Sequence, residues 1–90
     1  MIKHETTIRN ESGFHIRPAQ LFTETAARYA SNISVTVNGT STTVDGKSIL
    51  GLMTLGLSKG AEITITSDGA DEAEAIRALI ELAESGFGEN

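Results

Sequence analysis

Polar and apolar positions alternate at the start of the chain. Ile2, His4, Thr6 and Ile8 are interleaved with Lys3, Glu5, Thr7 and Arg9. A period of two predicts a strand with one face turned to a core. Residues 10–14 are mostly polar and include Gly13, which predicts a loop. From Ile16 the period lengthens: Ala19, Phe22, Ala26 and Tyr29 recur at three- and four-residue steps, as on one face of a helix. Ser31-Asn32 breaks that pattern. Ile33, Val35 and Val37 then alternate with Ser34 and Thr36 as a second strand. Asn38-Gly39 favours a tight turn, so Thr40 to Val44 is expected to fold back as a third strand. Asp45-Gly46 marks a further turn.

Ser48 to Leu55 predicts a short helix stopped by Gly56. Ser48 stands at its N-cap, where a hydroxyl can accept a bond from a free amide of the first turn. Ala61, Ile63 and Ile65 alternate with Glu62, Thr64 and Thr66 as a fourth strand, and Asp68-Gly69 turns the chain. Asp71 through Glu84 carries the clearest helical stripe: Ile76, Leu79, Ile80 and Ala83. Asp71 and Glu74 have capping-box spacing, and Gly86 is a C-terminal stop. Phe87 to Asn90 is expected to be a loose tail. The order is β-α-β-β-α-β-α. Each strand has one apolar and one polar face, so the expectation is an α+β fold: a mostly antiparallel sheet with helices on one side. No internal repeat or boundary interrupts it, and residues 1–90 are expected to form a single domain.

Composition narrows the function. A 39% hydrophobic content, 21% charged residues and one proline oppose disorder. The absence of cysteine excludes disulfides and thiolate metal sites. No run of ~18 apolar residues predicts a membrane span, and Met1-Ile2-Lys3-His4-Glu5 lacks the apolar region of a secretory signal. The expected compartment is therefore the cytoplasm, where the glycosylation-like Asn10-Glu11-Ser12 and Asn38-Gly39-Thr40 carry no meaning. A net charge of −5, few aromatics and no Trp oppose a rival reading as an RNA-binding module with a split β-α-β fold.

Two segments carry candidate chemistry. In Gly13-Phe14-His15-Ile16-Arg17-Pro18-Ala19, Pro18 suits a helix's first turn. A helix starting at Ile16 puts His15 at its N-cap, an unusual place for histidine. Free amides and the helix dipole there favour an anion. Arg17 adds a planar fork of donors suited to phosphate. The positive surroundings also favour neutral imidazole, the nucleophilic form. Taken locally, this leaves open that His15 is a plain loop histidine and Arg17 a solvated charge.

The second segment is Asp45-Gly46-Lys47-Ser48-Ile49-Leu50-Gly51-Leu52-Met53. Gly46-Lys47-Ser48 is not a P-loop, which needs a glycine where Ser41 stands. Ile49, Leu50, Leu52, Met53 and Leu55 cover nearly the whole helix circumference. A short helix buries one face only, so either some of these side chains form an exposed docking patch or all pack inside. Ser48 is a plain N-cap or a place where a phosphate is stabilised. His4 is expected to be structural. No carboxylate pair, histidine cluster or Ser-His-Asp set points to a metal, a cofactor or hydrolysis.

Three stretches together resemble the HPr family, the histidine-containing phosphocarriers of the bacterial phosphoenolpyruvate-dependent sugar phosphotransferase system. They are Glu11 to Ala19, Lys47 to Gly56, and Lys59-Gly60-Ala61-Glu62-Ile63-Thr64-Ile65; Gly69-Ala70-Asp71-Glu72 fits as well. The resemblance spans nearly the whole chain. It implies a two-layer open-faced β-sandwich: a four-stranded antiparallel sheet of order 1-4-2-3 under three helices. It implies a carrier and not an enzyme, with His15 accepting phosphate on Nδ1 from phosphorylated enzyme I and passing it to sugar-specific IIA domains. Arg17 would orient the phosphate. Ser48 would be the site of an HPr kinase/phosphorylase, and a transcriptional regulator is a further implied partner. Ile16, Gln20, Ile49, Leu50, Leu52 and Met53 would form the docking surface of a monomer that meets neither nucleic acid nor membrane. Ile16 and Phe14 depart from the family's usual residues beside the histidine. Thr40 to Gly46 is slightly longer than usual, and Asp45-Gly46 is similar to nitrogen-type paralogues. A nitrogen-type or purely regulatory paralogue is therefore the alternative.

Overall fold

Among the described residues seven strands and helices follow one another in the expected order, and one short helical turn comes after them where none was expected. The computed structural model describes residues 1–9 and 16–88. The strands are β1 (Ile2–Thr7), β2 (Asn32–Val37), β3 (Thr43–Asp45) and β4 (Glu62–Asp68). The helices are α1 (Ile16–Ala26), α2 (Ile49–Thr54) and α3 (Glu72–Glu84), and a single tight turn of helix follows at Gly86–Gly88. The loop expected at residues 10–14, and His15 with it, lie outside the described residues.

The strands pair antiparallel throughout, in the order β1-β4-β2-β3. This is the 1-4-2-3 sheet, and with three helices it makes an open-faced α+β sandwich. The register explains why alternation produces a core. Val35 lies opposite both Ile65 and Val44, and Thr6 lies opposite Ile63. Ile33, Val35, Ile63 and Ile65 are buried under the helices with Ala19, Phe22, Leu52 and Leu79. Each fully buried Leu, Ile or Phe contributes roughly 1.5–3 kcal/mol. Thr36, Thr43 and Thr64, one step out of phase, lie on the open face.

Four local expectations need correction. The third strand begins at Thr43 and not at Thr40. The Thr40 hydroxyl donates to Val37 O at 2.9 Å and accepts from Thr42 N at 3.1 Å, so side-chain bonding completes the loop before the ladder starts. Helix α1 stops at Ala26, before Tyr29. Arg28 and Tyr29 donate three residues back, to Thr25 O and Ala26 O, both at 3.2 Å, which tightens the last turn. The capping box of Asp71 and Glu74 is absent: Asp71 stands at the N-cap of α3 without a side-chain capping bond. Phe87 is no part of a loose tail, since Gly86 and Phe87 have φ of 71° and 57° and the ring is only 2% exposed. Two successive left-handed residues turn the chain back, so the aromatic ring closes the core.

Candidate phosphoryl-transfer site

Helix α1 starts at Ile16, directly after His15 in the chain. Pro18 and Ala19 are buried in its first turn, while Ile16, Arg17 and Gln20 are exposed. The first turn carries no acidic residue. No carboxylate from that turn therefore opposes the partial positive charge of the helix start or the exposed Arg17 guanidinium.

Helix α2 packs beside α1 and over β3. Ser48 caps it as expected: its Oγ accepts from Gly51 N at 3.1 Å. Gly51 permits the close seat of α2, because a Cβ there would meet Val44 Cβ and Ser48 Oγ, each at 3.3 Å. Leu50 and Met53, three residues apart, share the outer face. With Ile16 they are large apolar side chains left exposed, at 74%, 38% and 62%. Ile49 is half-buried. Leu52 corrects the sequence reading: it is fully buried in the core, so it anchors α2 and offers nothing to a partner. The choice left open for α2 resolves by face, with one side chain locked inside and two outside.

Sequence reasoning missed two polar ties around this layer. The Lys47 ammonium donates to Tyr29 O at 2.8 Å, and Asp45 Oδ1 accepts from Lys47 N at 2.9 Å. Lys47 thus pins the turn before α2 to the residues that follow α1. From the other side, Asp71 accepts from Ala30 N at 2.9 Å and from Ser31 N at 3.0 Å, and the Ser31 hydroxyl also donates to it. The Ser31 hydroxyl bond, then the Ala30 amide, holds the Asp71 carboxyl below its ordinary value. No local spacing signals either tie, since the partners are 18 and about 40 residues apart. Among the described residues no group of His, Cys, Asp or Glu is placed to hold a metal. No helix among them is long and apolar enough to cross a membrane.

The chain is thus a small two-layer α+β domain whose α1 starts without a carboxylate and with Arg17 exposed, and whose α2, packed beside it, leaves Leu50 and Met53 exposed. The chain belongs to the HPr family, the phosphocarriers of the phosphotransferase system: residues 2–85 match the family described as "PTS HPr component phosphorylation site". The phosphocarrier protein HPr of Neisseria meningitidis serogroup A is 47% identical over 89 residues, which span 99% of this chain and 98% of that protein. Among solved structures, HPr-C-His from Thermoanaerobacter tengcongensis superposes with a TM-score of 0.92 at 43% identity, covering 100% of this chain and 99% of that one. HPr from Bacillus anthracis gives 0.83 at 35% identity, over 91% and 95%. The family and these relatives mark a carrier and not an enzyme.

Proposed function

We propose that this phosphocarrier takes its phosphoryl group on Nδ1 of His15 from phosphorylated enzyme I and passes it to sugar-specific IIA domains. At each step the bond between phosphorus and the donor breaks as the bond to the acceptor forms. Arg17, with the amides that open α1, holds the phosphoryl oxygens. Ile16, Gln20, Ile49, Leu50 and Met53 form the surface on which partners dock. Ser48 is the regulatory site, modified by an HPr kinase/phosphorylase, and a transcriptional regulator is a further partner. The whole chain acts as one domain in the cytoplasm. The observation that carries this reading is the exposure of Arg17 and Ile16 in a helix start free of carboxylates, directly after His15.

The test is incubation with phosphoenolpyruvate and enzyme I, followed by intact mass before and after brief acid treatment. One acid-labile phosphoryl adduct, absent from His15→Ala, is the expected result. An adduct that resists acid, or that survives in His15→Ala, would overturn the assignment.

A further inference from the structure

Strand β1 is an edge of the sheet and pairs only with β4 among the described residues. Ile8, just beyond it, donates to Ala61 O and accepts from Gly60 N, both at 2.8 Å. Antiparallel ladders alternate, so Thr6, His4 and Ile2 also bond towards β4, and Lys3, Glu5 and Thr7 turn their backbone N–H and C=O outward. Such an edge is a template for another strand, and edge charges usually repel one. Here the two exposed charges are of opposite sign, and His4 stands between them.

Beside this edge, on the helix side, runs a groove of ≈ 370 Å³ between β1 and α3. Ile2, Ile76 and Ile80 supply apolar surface, while His4, Arg77 and Glu81 bring polar groups to it. Nothing among the described residues covers it.

We propose that this edge and groove bind a second copy of the chain, about a two-fold axis through His4. Antiparallel pairing centred there sets Lys3 of each copy opposite Glu5 of the other, twice. A shift of the axis to Lys3 or Glu5 sets like charges opposite each other, so the charge pattern selects one register. The pairs Lys3 with Glu5 are those whose backbone groups face outward, so the same register also satisfies the edge's hydrogen bonds. Helix α3 repeats the pattern. Met1 N lies 3.0 Å from Glu72 Oε2, and the groove brings His4 to Arg77 and Glu81, so β1 and α3 run in the same direction. Three strand residues advance ~10 Å, which ~7 helical residues match. The axis through His4 therefore passes near Leu79, midway between Arg77 and Glu81, and sets Arg77 of one copy against Glu81 of the other. The two half-grooves join into one, closed by Ile2 and His4 from both sides. Helix α2 packs over β3, the opposite edge, so Leu50 and Met53 stay open. The family resemblance implied a monomer along with the sheet order; which backbone groups of β1 face outward, and so its self-complementary register, come only from the hydrogen-bond pattern.

Sedimentation velocity on the full chain, from micromolar to millimolar and at low salt, tests this. A reversible monomer–dimer equilibrium that weakens with salt is expected. Lys3→Glu and Glu5→Lys should each weaken it at least about tenfold, because both symmetry-related pairs become like-charged. The double exchange should restore it. Both positions are exposed, and circular dichroism checks that each variant is folded. His4→Cys, in a chain without other cysteine, should give a disulfide dimer under mild oxidation. Opposed residues at such an axis approach to ~4.5 Å between Cα atoms, within disulfide reach. Lys3→Cys, displaced from the axis, should cross-link far more slowly. A monomer throughout the range overturns the proposal. So does a dimer indifferent to the single charge reversals, a double exchange that fails to restore association, or equal cross-linking at both positions.

Discussion

Asp71, at the start of α3, binds Ser31 through both its backbone amide and its hydroxyl, 40 residues back in the chain. With the Ala30 amide it closes the junction between α1 and β2. These bonds hold the carboxyl below its ordinary value. A depressed folded-state value means that the stabilisation is complete above the unfolded-state carboxyl range, near 3.8. It is lost as the pH falls below that range through the folded value. Asp71→Asn should therefore melt below the wild type at neutral pH, and the gap should shrink as the pH drops below the ordinary carboxyl value of 3.8. Melting temperatures of both proteins from neutral pH to below that value decide it. A gap independent of pH would show that the carboxylate's charge has no part in the tie.

Leu50 and Leu52 are two residues apart on α2 with opposite fates. Leu52 is wholly buried and Leu50 is 74% exposed. Leu52→Ala should cost ~2–5 kcal/mol of folding free energy from lost burial and the cavity left behind. Leu50→Ala should change stability by less than ~0.5 kcal/mol, yet weaken docking to enzyme I. Urea unfolding and a binding titration of both variants separate the effects. Equal stability losses would contradict the assignment of the faces.

The strand and helix positions were legible because alternation and helical stripes are local signals, whereas the sheet order came only with the family resemblance, which rests on separated stretches of the chain. The misses share a cause. Asp71 carries an N-cap signature at the right spacing, but its carboxylate bonds more strongly to Ala30 and Ser31, which only the tertiary fold brings near. Phe87 follows Gly86, where the helix ends as expected, but the burial of its ring depends on two left-handed residues in succession. Leu52 and Leu50 look alike in a six-residue helix with no room for a period to show. The self-complementary register was hidden for another reason: it depends on which backbone groups of β1 bond to β4, and the sheet order alone does not say.

Arg17→Ala should keep the melting temperature of the wild type and slow phosphoryl transfer from enzyme I. Arg17 is exposed, so the fold loses little. A hydrogen bond to a charged group is worth ~1.5–3 kcal/mol, which corresponds to roughly ten- to hundredfold in rate. Arg17→Lys should recover only part, because an ammonium lacks the planar fork. Rapid-quench transfer kinetics provide the measurement, and an unchanged rate would leave the helix amides as the sole anion binder.

Ser48 caps α2 through its hydroxyl oxygen, and Leu50 and Met53 are displayed by that same helix. Removing the cap with Ser48→Ala should cost ~0.5–2 kcal/mol and leave docking nearly intact, because the apolar face is untouched. Phosphorylation should act the other way round. The phosphate oxygens can still accept from the first-turn amides, so stability is kept. The added charge of about −1.5 to −2 lies beside the patch that a partner must desolvate. Binding to enzyme I should therefore weaken while the melting temperature holds or rises slightly. Ser48→Asp should reproduce the binding loss only in part, having less charge and fewer oxygens. The cap and the charge are thus separated by two variants and one modification. The decisive measurements are the enzyme I dissociation constant and the melting temperature for each form. Unchanged or tighter binding by the phosphorylated protein would remove Ser48 as a regulatory site, whatever the melting temperature did.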